Sequence, residues 1–141
     1  MKILVAVDGS KSSLNAVKYA ARLAKNLRTK DRVTLINVHD DHGLRHAKQF
    51  VGKAEIDDYL RAVSDDELKA ARKLLAKEEV SYDAIIRQGH IAEEIIKAAN
   101  SGKFDMVVIG SKGRTSFVDL LIGSVAQKVV AACKQPVVLI K

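Results

Sequence analysis

The sequence predicts an α/β protein in which helices cover both faces of a parallel sheet. Five short apolar segments alternate with four segments whose apolar residues recur at intervals of three and four positions. Segments that are apolar throughout are typical of parallel strands buried on both faces, and parallel strands need crossover connections. With right-handed crossovers, the five strands form an open doubly wound sheet, and the 141 residues predict one domain, 1–141.

The five predicted strands are short runs of aliphatic and β-branched residues. They cover residues 3–7, 33–38, 82–87, 106–109 and 137–140. The third strand ends at Gly89, and the fifth begins after Pro136, which needs no ladder donor at the start of a strand.

The predicted helices carry their apolar residues on one face. They cover residues 14–27, 56–79, 91–99 and 125–133. Ser12 or Ser13 is predicted to cap the first helix, and Ser64 followed by Glu67 matches a capping box that would restart the second. Residues 39–53 are polar and have no clear period, so we expect a loop there with at most one helical turn.

The composition limits the possible partners and compartments. The net charge is +7, but acidic and basic residues are interspersed and aromatic residues make up only 4%, so nucleic-acid binding is disfavoured and a small phosphate-bearing ligand fits better. The single cysteine, Cys133, excludes an internal disulfide and is typical of a cytoplasmic protein. The apolar runs fall far short of the ~20 residues of a membrane helix, which predicts a soluble protein without a leader.

Candidate functional residues follow the predicted strands, because ligands of doubly wound sheets bind beyond the carboxyl ends of the strands. Asp8 follows the first strand and His90 the third, while residues 110–124 after the fourth contain three glycines. Such glycines let backbone N–H groups converge on an anion with positive φ angles, and a helix that begins at Ser124 would add free N–H donors. A plain turn followed by a helix cap explains the same pattern, and the residues alone leave both interpretations open.

Several phosphate-binding and signalling classes are excluded by their motifs. The chain has no G-x-x-x-x-G-K-[ST] and no G-x-G-x-x-G after its first strand, which excludes a Walker-type ATPase and a typical dinucleotide fold. A receiver domain would need an acidic pair after the first strand, where Asp8 stands alone, and an acceptor Asp after the third, where residues 87–89 are Arg-Gln-Gly.

Residues 110–124 match the pattern G-x2-G-x9-G-[ST], which resembles the nucleotide-binding signature of the universal stress protein family. Residues 3–10 are similar to the opening strand of that family and its Asp, and Gly89 with Ala92 resembles its G-x-x-A turn. Residues 136–138 resemble its closing segment, so the resemblance covers nearly the whole chain.

The resemblance implies a sheet of strand order 3-2-1-4-5, an adenine nucleotide such as ATP with Mg²⁺ or Mn²⁺, and a dimer. The implied nucleotide-binding residues are Ala6, Asp8, Val38, Ile109, Gly110, Lys112, Gly113, Gly123, Ser124 and Val125. In the family's pattern the first three surround the adenosine, Ile109 and Gly110 flank the ribose, and the others hold the phosphates with Lys112 nearby. Lys112 stands where the family commonly has His or Arg, and Ala126 where some members have a hydroxyl, which would change the affinity more than the binding mode.

A second candidate site is the histidine cluster. His39, His42 and His46 lie beside two aspartates, and the last two histidines would share a helix face with the spacing of a metal pair. A polar surface loop explains the same residues and is the favoured interpretation.

Three function classes remain. The first is a nucleotide-binding regulatory protein, and the second is a slow ATP hydrolase or a self-phosphorylating enzyme that uses Thr115 or Ser116. The third, an interaction protein with an empty cleft, is disfavoured by the intact glycine pattern. In the implied strand order, residues 137–140 form an edge strand, which predicts a twofold dimer built on that edge.

Overall fold

The computed structural model describes residues 1–27, 32–113 and 121–141. Strands and helices alternate along these residues. The elements are β1 (Lys2–Ala6), α1 (Lys11–Asn26), β2 (Arg32–Asp40), α2 (His42–Ala47), α3 (Lys53–Lys77), β3 (Tyr82–Gly89), α4 (Ile91–Ser101), β4 (Met106–Gly110), α5 (Ser124–Ala132) and β5 (Val137–Ile140). The predicted alternation is confirmed, with one short helix, α2, added after β2.

The strands form one parallel sheet in the order β3-β2-β1-β4-β5, so the implied strand order is confirmed. β1 lies between β2 and β4, with Val5 opposite Leu35 on one side and opposite Val108 on the other. The chain winds away from β1 in both directions, which places the topological switch point between β1 and β4.

The core has one apolar layer on each face of the sheet. Ile3, Val5 and Val7 pack with α1 and α3, whereas Leu4 and Ala6 pack with α4 and α5. Because β1 is buried on both faces, it needs the uninterrupted apolar run by which the sequence identifies it.

The cap of α1 differs from the prediction. The N-cap is Ser10, whose Oγ accepts a hydrogen bond from the N–H of Ser13 at 3.1 Å. Ser13 is buried and donates its hydroxyl proton to the Ser10 carbonyl. The helix begins earlier because the Asp8 carboxylate accepts from the N–H of Ser10 at 2.9 Å, which fixes the turn directly before it.

Two predictions for residues 39–79 are wrong. β2 continues to Asp40 and the 6-residue helix α2 follows, which is more regular structure than the expected loop with at most one helical turn. The Asp40 carboxylate accepts from the N–H of His42 at 3.0 Å. α3 runs unbroken from Lys53 to Lys77, so Ser64 and Glu67 form no capping box. Both side chains are buried in the middle of α3, where they form hydrogen bonds with Asn37 and do not cap a helix end.

In the described part of the chain, no helix is long and apolar enough to cross a bilayer.

Candidate functional site

A cavity of about 520 Å³ lies at the carboxyl edge of the sheet, where β1 and β4 diverge. All the residues implied by the family resemblance line it, namely Ala6, Asp8, Val38, Ile109, Gly110, Lys112, Gly113, Gly123, Ser124 and Val125. The structure therefore brings together residues that are more than 100 positions apart in the sequence. Their contact with a nucleotide stays a prediction.

The N-terminus of α5 forms one end of the cavity. Gly123 is the N-cap, and its own N–H donates to the Ser111 carbonyl at 2.7 Å. The first N–H donor inside the helix is that of Gln127, which bonds the Gly123 carbonyl at 3.0 Å, so the N–H groups of residues 124–126 precede the intrahelical ladder. The Gln127 side chain also donates to the Ile122 carbonyl at 2.6 Å and thereby fixes the approach to the helix. This end of the cavity carries the partial positive charge of a helix N-terminus.

The glycines of the 110–124 pattern do not have the positive φ angles expected from the sequence. Among the described residues, the glycines with positive φ are Gly9, at +81°, and Gly89, at +150°. At Gly110 the need for glycine is steric, since a Cβ atom would lie 2.4 Å from the Ser12 Oγ and 2.8 Å from the Ser12 carbonyl carbon. Gly110 thus allows α1 to pack directly on the end of β4.

Asp8 faces Gly113 across the cavity mouth. One Asp8 oxygen accepts from the N–H of Ser10, and the other would lie 3.5 Å from a Cβ atom on Gly113. Apart from its chain neighbours, no other described residue comes within 4 Å of that Cβ position, so a side chain at residue 113 would lie beside the carboxylate.

The backbone around Lys112 is anchored to α1 and β5. The N–H of Ser111 donates to the Ile140 carbonyl at 2.7 Å, and the Ser12 hydroxyl donates to the same carbonyl at 3.2 Å. The N–H of Lys112 donates to the Ser12 Oγ at 3.4 Å. The half-buried side chain of Lys112 lines the cavity and supplies a cation beside the α5 terminus.

The apolar walls include residues that the sequence analysis did not assign to the site. Ile36 lies beside Val38 on β2, while Ile91 and Ile95 approach from α4 and Ile122 from the segment before α5. The alternation of residues 36 and 38 on one face of β2 is a signal that could have identified this wall. These side chains give the cavity apolar walls on β2, on α4 and in the segment before α5.

The histidines do not form a metal centre in the described residues, where no group of three potential ligands is suitably placed. His39 is buried beside Ser64, so the expectation of a surface loop is wrong for this residue. His42 packs edge-on against His90 with the ring centroids 5.7 Å apart, and His46 packs against Phe50.

Cys133 is half-buried and packs against the apolar layer on the α4 and α5 face. Burial raises the pKa of its thiol, because desolvation disfavours the charged thiolate. The proposed phosphoryl acceptors Thr115 and Ser116, together with Arg114, lie outside the described residues.

Comparison with known proteins supports the assignment reached from the residues. A family model described as "Universal stress protein family" matches residues 1–141. The universal stress protein MJ0531 of Methanocaldococcus jannaschii is 32% identical over 146 residues, which cover 99% of this chain and 81% of the relative.

Solved structures agree on the fold. The structure of hypothetical protein MJ0577 superposes with a TM-score of 0.83 at 26% identity and covers 99% of this chain and 94% of its own. A universal stress protein from Archaeoglobus fulgidus, solved in complex with dAMP, superposes with a TM-score of 0.73 at 23% identity and covers 100% of this chain and 98% of its own. With its whole length matched by the family model and a relative above 30% identity, this chain belongs to the universal stress protein family.

Proposed function

We propose that the protein is a cytoplasmic regulatory protein that binds ATP or a related adenine nucleotide in the cavity between β1 and β4, through one nucleotide-binding domain over residues 1–141. The observation that carries the proposal is that one cavity combines apolar walls with anion-binding groups. Its apolar walls on β2 and α4 suit a purine ring, and the N-terminus of α5 together with Lys112 and Gly113 suits phosphates. The dAMP complex of the Archaeoglobus fulgidus relative supports the same ligand class.

The cavity fits a nucleotide in size and chemistry. Its volume of about 520 Å³ lies within the range of small-molecule sites, about 300–1,000 Å³. Asp8 is positioned to accept hydrogen bonds from ligand hydroxyl groups, and the N–H groups of residues 124–126 are positioned to donate to phosphate oxygens.

A divalent ion such as Mg²⁺ or Mn²⁺ fits this site as a companion of the phosphates. Asp8 is the only carboxylate among the described lining residues, and Mg²⁺ in nucleotide sites is typically bound by one or two carboxylates together with phosphate oxygens. When bound with the phosphates, such an ion would neutralise their charge, while Asp8 and the N-terminus of α5 contribute to holding the nucleotide.

The proposal is tested by calorimetric titration with ATP, AMP and adenosine. Gly113→Asp should abolish ATP binding, because it places a carboxylate beside Asp8 and near the phosphates. Gly43→Asp is the matched control, since a Cβ atom there meets no described residue within 4 Å outside its own helix. Lys112→Ala should weaken ATP binding more than adenosine binding. Equal ATP affinity in wild type and Gly113→Asp would exclude the site.

A regulatory role is favoured over rapid turnover. The described lining residues include no histidine, and one oxygen of Asp8 already accepts from Ser10. A positioned general base typically contributes about 10²–10⁴-fold to a rate. We therefore expect the bound nucleotide to be retained, and a single-turnover assay with labelled ATP distinguishes retention from slow hydrolysis or self-phosphorylation. Sustained hydrolysis at about 10 per second would overturn the regulatory assignment.

We also propose that the protein forms a twofold dimer through β5. β5 pairs only with β4 in the described sheet and leaves one edge unpaired, and its residues Val137–Ile140 are apolar and half-buried. Antiparallel pairing with the same strand of a second chain would satisfy both edges together. Light scattering that gave a monomer mass across the micromolar range would contradict the dimer.

A further inference from the structure

Four buried polar side chains form a hydrogen-bonded chain on the face of the sheet opposite the cavity. Asn37 and His39 lie on β2, and Ser64 and Glu67 lie on α3. Asn37 and Ser64 are fully buried, and Glu67 and His39 are only 7% and 8% exposed. Polar groups buried to this degree require defined partners, so each contact in the chain constrains the backbone that carries it.

The hydrogen bonds within this chain have one direction. The Asn37 amide nitrogen donates to the Val7 carbonyl at 2.9 Å and to a Glu67 carboxylate oxygen at 2.6 Å, which uses both of its protons. The Asn37 oxygen accepts the Ser64 hydroxyl proton at 3.1 Å. Because the Ser64 hydroxyl donates its one proton to Asn37, its Oγ must accept from His39 Nε2. Each group therefore donates to the next, from His39 through Ser64 and Asn37 to the Val7 carbonyl. Bonds aligned in one direction polarise and strengthen one another.

The last hydrogen bond of this series, from Asn37 to the Val7 carbonyl, holds the backbone that carries Asp8. β1 pairs with β2 only as far as Ala6 opposite Ile36. The N–H of Val7 still bonds the Ile36 carbonyl at 2.9 Å, but the carbonyl of Val7 is bound by the Asn37 side chain. The Asn37 amide thus replaces a ladder donor at the point where the two strands separate and the cavity begins.

Glu67 also packs against the turn after β1. A Cβ atom on Gly9 would lie 3.4 Å from the Glu67 Cα and Cγ atoms, and Gly9 has a φ of +81° that favours glycine. The turn after β1 is therefore seated directly on α3. Asp8 is fixed on the other side by Ser10, whose N–H donates to its carboxylate at 2.9 Å.

On these contacts, and resting on the nucleotide-binding function proposed above, we infer that Asn37 is a positioning residue for the cavity. Ser64 and Glu67 orient Asn37, which lies on the sheet face opposite the cavity. Asn37 fixes the Val7 carbonyl and thereby orients the neighbouring Asp8 carboxylate toward the ligand. A purely structural role would lower stability alone, whereas a positioning role changes ligand affinity as well.

The experiment compares Asn37→Ala with Leu75→Ala, which removes a fully buried side chain of α3 that makes none of these contacts. Urea unfolding gives the stability of each variant, and calorimetry gives its affinity for AMP. We expect Asn37→Ala to bind AMP about tenfold more weakly than wild type. Leu75→Ala should stay within about twofold of wild type despite its lower stability.

Amide hydrogen exchange provides a readout that needs no ligand. In Asn37→Ala, exchange at Asp8 and Ser10 should accelerate more than exchange in the rest of the sheet, whereas Leu75→Ala should leave this ratio unchanged. If wild-type protein binds neither ATP nor AMP, the proposed function fails, and the exchange ratio still decides whether Asn37 positions the turn.

Three other variants keep the inference testable if Asn37→Ala does not fold. Ser64→Ala removes one bond to the Asn37 oxygen and should weaken AMP binding, while Glu67→Gln keeps an oxygen acceptor for the Asn37 amide and should bind AMP more tightly than Glu67→Ala. The inference is overturned if the folded variants bind AMP within about twofold of wild type and exchange at the turn is unchanged.

Discussion

Replacing Gly110 by alanine should destabilise the protein even though it adds a single methyl group. The added Cβ atom would lie 2.4 Å from the Ser12 Oγ and 2.8 Å from the Ser12 carbonyl carbon. Favourable contacts between carbon atoms lie at about 3.5–4.0 Å, so α1 and β4 would have to separate by roughly 1 Å. The Ser12 side chain could rotate away, but its backbone could not.

The expected loss combines overpacking with disrupted hydrogen bonds. Overpacking typically costs about 1–3 kcal/mol. Rotation of Ser12 would also break its bond to the Ile140 carbonyl and displace the acceptor of the Lys112 N–H, which adds about 1 kcal/mol net. A total of about 2–4 kcal/mol would lower the melting midpoint by about 6–12 °C, at roughly 3 °C per kcal/mol for a chain of this length.

The comparison is with Gly113→Ala, because among the described residues outside its chain neighbours its Cβ atom would meet only the Asp8 carboxylate, at 3.5 Å. Urea unfolding and calorimetric melting should show a large loss for Gly110→Ala and a change within about 0.5 kcal/mol for Gly113→Ala. In a Ser12→Ala background the loss for Gly110→Ala should shrink but persist, since the backbone contact remains. Equal stabilities for the two glycine variants would refute the steric explanation.

Three further predictions follow from other contacts. The Pro136 carbonyl, directly before β5, accepts from Val107 on β4, and the Ile140 carbonyl accepts from Ser111, directly after β4. By alternation the N–H of Leu139 points to the free edge of the sheet. Leu139→Pro should therefore weaken the proposed dimer in light scattering, whereas Val138→Pro should destabilise the monomer. The exposed Lys25–Glu78 ion pair lowers the Glu78 pKa and raises that of Lys25, so its small contribution to stability should fade as acid protonates the carboxylate. Glu78→Gln, measured by urea unfolding across pH, should remove that dependence. Because burial raises the pKa of the Cys133 thiol, native Cys133 should react more slowly with iodoacetamide than the unfolded chain does.

The fold was predictable because its signals are local. The buried strands need uninterrupted apolar runs, and the helices need an apolar stripe at helical spacing, so alternation alone indicated a parallel sheet. Predictions for individual residues were less accurate where tertiary contacts compete with local preferences. Ser64 and Glu67 have the spacing of a capping box, but both are buried within α3 because Asn37 on the neighbouring strand bonds them.

The sequence predicted which residues line the candidate site but not how those residues are arranged. The spacing of Gly110, Gly113 and Gly123 and its family resemblance identified residues that line one cavity. Which glycine is needed for packing against α1 and which lies beside Asp8 depends on atoms roughly 100 positions away in the chain. A one-dimensional pattern carries no information about such distances.

By itself the sequence determined the fold class, the alternation of elements and the end of the sheet where chemistry can occur, because each depends on periodicity and on residues adjacent in the chain. The tertiary structure decided what depends on approach between distant segments. It paired the Ile140 carbonyl with Ser111, seated Gly9 on Glu67, and connected Asn37 to Val7 at the point where β1 and β2 separate. Those contacts become defined only when the sheet brings the segments together, since hydrogen bonds and steric contacts act over a few ångströms.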